Sequence, residues 1–170
     1  MGWLALAGTL IGGTFGILHD QVTYTISPEY FTRMKFDQFH VWVFGFSRRL
    51  FVAEIGFLAT WWVGLIGSWF LARIAVRKFS QPQTSVLLAL LFVMTVAVGF
   101  GLSGYFWGNH FAESSPGWEE GLVSMKVKDA TAFNRVAGIH LGSYLGAFVG
   151  WILAMAWFLG RPKSRISTDE

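Results

Sequence analysis

Four long apolar runs constrain this 170-residue chain more than any other feature. They cover residues 3–18, 50–72, 85–107 and 136–160, and Glu54 is the one acidic residue inside them. Each is close to the roughly 20 residues that cross a bilayer core. In lipid there is no water to satisfy backbone N–H and C=O groups, so each run has to pair them within itself. None shows the short alternation of barrel strands. The expected fold is therefore an all-α membrane protein: a four-transmembrane-helix bundle in one domain, 1–160, followed by a cytoplasmic tail, 161–170. Only 14% of the residues are charged, about half the share of a soluble domain, so the bilayer is the expected partner of the surface.

The first run has no preceding Lys or Arg and ends in His19-Asp20, which reads as a mature helix rather than a cleaved signal. Orientation follows from charge. The connection 73–83 and the tail carry Arg73, Arg77, Lys78, Arg161, Lys163 and Arg165, so they are expected on the cytoplasmic side, with both termini. The outer segments, 19–49 and 108–135, balance seven basic against seven acidic residues and are expected to face the periplasm.

Helices in lipid gain little from hydrophobic exclusion, so close packing of small residues has to hold them together. Gly8, Gly12 and Gly16 line one face of the first run, and Gly138, Gly142, Gly146, Gly150 and Ala154 one face of the fourth. Ala53, Gly56, Thr60, Gly64 and Gly67 mark the second, and Ala97, Gly101, Gly104 and Gly108 the third. Such Gly-rich stripes imply internal helix packing or a face for another subunit or a second copy. Trp3, Trp61, Trp62, Trp69, Trp107, Trp151 and Trp157 read as lipid-facing or interfacial anchors.

The outer segment between helices 1 and 2 begins with Gln21-Val22-Thr23-Tyr24-Thr25-Ile26, an alternation typical of an extended segment. Ser27, Pro28 and Glu29 then form a helix start. The mixed aromatic and charged stretch that follows fits an amphipathic helix in the headgroup region or a cap on the bundle mouth. The second outer segment reads as a loop turning at Pro116-Gly117. The string His19-Asp20-Gln21-Val22-Thr23-Tyr24-Thr25-Ile26-Ser27-Pro28-Glu29-Tyr30-Phe31-Thr32 resembles a signature of uncharacterised bacterial integral membrane proteins. The resemblance implies a bacterial inner-membrane location and carries over no catalytic residue.

Counting back from the cytoplasmic ends at about 1.5 Å per residue puts His140 and Glu54 near the outer edge of the core, level with His19. Tyr105 and His110 end the third run, and Asp20, Arg49, Arg135 and Tyr144 lie nearby in sequence. His19 and His140 could ligate haem from facing helices. His19, Glu54 and His140, with His110, form a nitrogen and oxygen set suited to a divalent transition metal such as zinc, iron or copper(II). The bland readings are an ion pair of Glu54 with Arg49 or Arg135, a structural His140, and solvated loop histidines at His40 and His110. With no Cys, thiolate chemistry and iron–sulfur clusters are excluded. No serine-nucleophile motif, phosphate loop or nucleic-acid-binding pattern occurs. Three functions remain: a metal- or haem-binding redox protein with a periplasm-facing His/Glu site, a non-catalytic subunit or assembly factor of a membrane complex, and a small transporter.

Overall fold

The computed structural model describes residues 1–39 and 47–162. His40 and the tail from residue 163 lie outside the described residues. The elements in chain order are α1 (Gly2–Ile26), α2 (Pro28–Tyr30), a π-helical turn (Phe31–Lys35), α3 (Phe36–Gln38), α4 (Arg48–Lys78), α5 (Pro82–Glu113), α6 (Trp118–Ser124) and α7 (Ala130–Gly160). Among the described residues there is no strand. Helices α1, α4, α5 and α7 are long and apolar enough to cross a membrane, which makes this a four-helix membrane bundle.

The helices run further than the apolar runs. Helix α1 continues through Gln21–Ile26, so the extended segment expected there is helical. The β-branched side chains are accommodated because Thr23 and Thr25 donate their hydroxyls to the carbonyls of His19 and Gln21 one turn back, at 3.0 and 2.9 Å. The second outer segment is not all loop either. Helix α5 extends to Glu113, Gly117 supplies the turn at φ +76°, and α6 follows.

Two helix pairs make up the bundle. In α1 and α4, Gly16 faces Gly56 and Gly8 faces Gly64 so closely that a Cβ on any of the four would run into the opposing carbonyl oxygen. Thr60 Oγ1 lies 2.8 Å from the carbonyl of Gly12 across this seam. In α5 and α7, Gly104 and Gly138 block each other in the same way, and a Cβ on Gly146 would sit 2.9 Å from the Cα of Ala97. Between the pairs lies an apolar cluster at the basic end, including Leu4, Leu71, Ala75, Val86 and Phe158. Lys78 donates to the carbonyls of Leu159 and Arg161 there, tying α4 to the end of α7. A second cluster, with Tyr24, Tyr30, Phe31, Val52, Phe133 and Val136, fills the other end. Trp3, Trp62, Trp69, Trp107 and Trp157 are exposed as expected of lipid-facing anchors. Trp151 differs, because its indole N–H donates to the Gly67 carbonyl at 3.2 Å and holds α7 against α4.

The seams make a sharp distinction within a single helix. Gly104→Ala should destabilise the bundle by about 1–3 kcal/mol through overpacking. Gly99→Ala, where nothing stands within 4 Å of the new Cβ, should be neutral or stabilising by up to about 1 kcal/mol from helix propensity. Unfolding of both variants in mixed detergent micelles measures the difference.

Candidate metal centre

At the end of the bundle away from the basic turn, α1 contributes His19 and Asp20 from its penultimate turns and α7 contributes His140. These three offer ligand atoms that all lie within 4.8 Å of one another. The pairing of α1 with α4, and of α7 with α5, sets the two helices at a common depth. Asp20 is 4% exposed and His140 2% exposed, so both are enclosed.

Hydrogen bonds order the group. His19 Nδ1–H donates to Asp20 Oδ1 at 3.1 Å, and the Ser143 hydroxyl donates to His19 Nε2 at 3.2 Å. Thr23 uses its hydroxyl proton on the His19 carbonyl, so its oxygen accepts from His140 Nε2–H at 3.4 Å. Asp20 Oδ1 lies 3.9 Å from the same nitrogen. These tautomers follow from the partners. The imidazole rings of His19 and His140 meet edge to face with centroids 4.6 Å apart. His140 Nδ1 is buried and has no hydrogen-bond partner among the described residues.

The order Asp20, His19, Ser143 is that of a hydrolytic triad. Ser143 is nevertheless enclosed against α5, where a Cβ on Gly101 would collide with its hydroxyl. The cleft beside His140 is lined by Leu141 and Tyr144 and not by Ser143. An acyl group has no place beside this hydroxyl, which is taken up by its hydrogen bond to His19.

A lid covers the group. The helix start read at Ser27 and Pro28 is present, and Glu29 turns its carboxylate to the entrance of α7, accepting from the backbone N–H groups of Lys128 and Asp129 at 2.9–3.2 Å. The segment caps the bundle mouth: Tyr30 and Phe31 are buried, and Tyr30 stacks on His140 with centroids 4.8 Å apart and planes 23° apart. The π-helical turn widens the backbone at Phe31–Lys35 and brings Lys35 inward, to 7% exposure. Burial pushes the Lys35 ammonium below its ordinary pKa, while the Asp20 carboxylate acts in the opposite direction. Burial also raises the Tyr30 hydroxyl, with Tyr144 and Asp20 adding to the rise, so it stays neutral.

The other residues singled out in the sequence do not join the group. Glu54 keeps both carboxylate oxygens buried without a hydrogen-bond partner among the described residues, and it forms no ion pair with Arg49 or Arg135. Arg49 instead donates to the Gln21 carbonyl and to Thr25 Oγ1, and lies over the Tyr24 ring. Arg135 donates to the Tyr105 hydroxyl at 3.3 Å. His110 is exposed and packs on Trp107. Tyr144 is half exposed, its ring 6.1 Å from that of His140. Sequence reasoning missed Thr23, Ser143 and Lys35. The four-residue step from His19 to Thr23 and the three-residue step from His140 to Ser143 were the available signals for the first two. Family models, curated proteins and solved structures contain no match to the chain.

Glu29 is the main polar tie between the lid and α7. Glu29→Ala should speed amide exchange through residues 31–35 while leaving the helix content of α7 unchanged, as hydrogen-exchange mass spectrometry would show.

Proposed function

We propose that this multi-pass membrane protein holds a divalent transition metal between His19, Asp20 and His140, in a redox or other metal-dependent role. The observation that carries the reading is the convergence of two imidazoles and one carboxylate, from two helices, within 4.8 Å. Ligand atoms sit about 2.0–2.2 Å from an ion such as zinc, so the group closes around one by small side-chain rotations. Two histidines and a carboxylate leave coordination positions open, which is the pattern of reactive iron(II) and zinc sites. Thr23 and Ser143 would then orient the ligands from outside, as such partners commonly do. Haem fits poorly, because the two imidazoles touch and leave no slot for a macrocycle between them. A carrier needs polar groups along its length. Towards the basic end Thr60 and Ser68 donate instead to backbone carbonyls, which favours a fixed site over a transport path.

Purified gently in detergent, the protein should carry about one metal ion per chain by elemental analysis. His19→Ala and His140→Ala should each abolish stoichiometric binding, and Ser143→Ala should weaken it by about 10–100-fold. Glu54→Gln should leave it unchanged. Lys35→Met should strengthen it, because the substitution removes a cation from the field of Asp20. A folded, metal-free protein that takes up no added zinc or iron would leave the group as a structural hydrogen-bond network in a non-catalytic subunit.

We further propose that the membrane is a bacterial inner membrane, with the centre on the periplasmic side and both termini in the cytoplasm. Arg73, Arg77, Lys78 and Arg161 gather at the end opposite the centre, which supports this orientation by the positive-inside rule. The signature beginning at His19 supports the bacterial location. The absence of Cys makes single-cysteine labelling direct. Glu119→Cys should react with an impermeant maleimide in intact cells and Gln81→Cys only after permeabilisation, and the reverse pattern would invert the topology.

A further inference from the structure

The basic end of the bundle holds a groove that the proposed metal centre does not use. It has a volume of about 370 Å³, lies between the last turns of α4 and α7, and is lined by Phe70, Arg73, Ile74, Arg77, Lys78 and Leu159. Half of its lining residues are cationic, and both arginines are exposed. Among the described residues none of these cations forms an ion pair with a carboxylate. Along α4 the nearest acidic residue to Arg73 is Glu54, roughly 28 Å back at 1.5 Å per residue. Asp20, Glu113 and Asp129 stand at the other end of the bundle, so the positive charge of the groove is uncompensated.

The three cations are arranged to receive an anion. Arg73 and Arg77 are four residues apart, so they stand one turn apart on the same face of α4. The Arg73 guanidinium lies over the Trp69 ring at 5.0 Å from its centroid, and Arg77 has no partner among the described residues. Lys78 uses two of its three N–H donors on the carbonyls of Leu159 and Arg161, which leaves one for a ligand. Those carbonyls are the negative end of the α7 dipole, so Lys78 offsets a field that would otherwise repel an anion. The rest of the groove is apolar. Deeper in the bundle Trp151 closes the gap between α4 and α7, packing on Phe70 and donating to the Gly67 carbonyl. Phe70, Ile66 and Trp62 continue inward along one face of α4 at four-residue steps, and all three are exposed to the hydrocarbon.

Unpaired cations at the membrane boundary, next to an apolar track, match a phosphodiester that carries acyl chains. Guanidinium forks bind phosphate oxygens in pairs. A soluble phosphate would use the cations and leave the track empty, and a zwitterionic lipid would bring its own ammonium among three cations. We propose that the groove between α4 and α7 binds the headgroup of an anionic phospholipid, with the phosphate between Arg73 and Arg77 and an acyl chain along Phe70, Ile66 and Trp62. The binding requires neither the metal nor a particular orientation in the membrane.

The test is native mass spectrometry of the full chain in detergent micelles doped with equal amounts of dioleoylphosphatidylglycerol and dioleoylphosphatidylcholine. One phosphatidylglycerol per chain should be retained, with a preference of about tenfold or more over phosphatidylcholine. Arg73→Gln combined with Arg77→Gln should bring that preference to within about twofold, because the phosphate loses both forks. Leu159→Asp, which sets a negative charge at the mouth of the groove, serves the same purpose if the double variant fails to fold. Arg33→Gln combined with Arg48→Gln removes the same charge from exposed positions at the other end and should keep the preference. Glycerol phosphate equimolar with the lipid should not displace it, since it has no chain for the apolar track. Equal retention of the two lipids, a preference that survives in the folded groove variants, or one lost equally in the Arg33 and Arg48 variant would each overturn the assignment. Displacement by glycerol phosphate would overturn it too, in favour of a site for a soluble phosphate.

Discussion

Contact of backbone with backbone across the glycine seams is the constraint on which the rest of the structure depends. In lipid the apolar faces gain nothing by leaving the solvent, so dispersion between closely approaching helices has to supply the association. Gly16 against Gly56 and Gly104 against Gly138 bring the main chains together at distances that no Cβ would allow. The seams also set registers. With Gly16 opposite Gly56 and Gly8 opposite Gly64, α1 cannot slide along α4 without driving a side chain into a carbonyl, and α7 is fixed on α5 in the same manner. Two rigid pairs result, and the polar chemistry lies where they meet.

That meeting place differs at the two ends. At the basic end the gap is filled by leucine, alanine, valine and phenylalanine, and nothing polar is required of it. At the other end His19, Asp20 and His140 occupy the gap, and a polar group at membrane depth is tolerated only when it is paired or faces an interior. The lid answers this demand. Glu29 anchors it to α7, the π-helical turn rotates Phe31 and Lys35 inward, and Tyr30 covers the face of His140. Lys35 adds a positive charge to the surroundings of Asp20. On the proposed metal reading, a divalent ion would put the positive charge among the ligands themselves and compete with Lys35 for the field of Asp20.

The fold was legible in the sequence because lipid leaves the chain few options: the apolar runs became helices, and the glycine stripes became seams. The histidines and Asp20 were legible as one level because depth follows from counting residues along a helix. Direction around the helix was less accessible. Glu54 sits at a suitable depth, yet its carboxylate does not enter the group, and Arg49 finds Gln21 and Thr25 rather than Glu54. Alternation misled at Gln21–Ile26, where hydroxyl bonds to the preceding turn let threonine remain helical. Lys35 could not be foreseen, since its inward placement depends on one extra residue in a single helical turn.

The two nitrogens of His140 draw these features into one mechanism of placement. Nε2 faces α1 because the α5–α7 seam presents His140 to Thr23 and Asp20, while Nδ1 is enclosed without a hydrogen-bond partner among the described residues, and the small residues Gly108, Ala112, Ala137 and Gly138 line a cleft beside the ring. Two of these, Gly108 and Gly138, also serve the seam, where a Cβ on Gly138 would lie 2.7 Å from the Cα of Gly108. The residues that bring the helices close enough to align the histidines are thus partly the ones that leave room beside them. One seam therefore fixes both the register of α7 on α5 and the direction in which the His140 ring presents Nε2 to α1, so the polar group depends on glycines that never touch it.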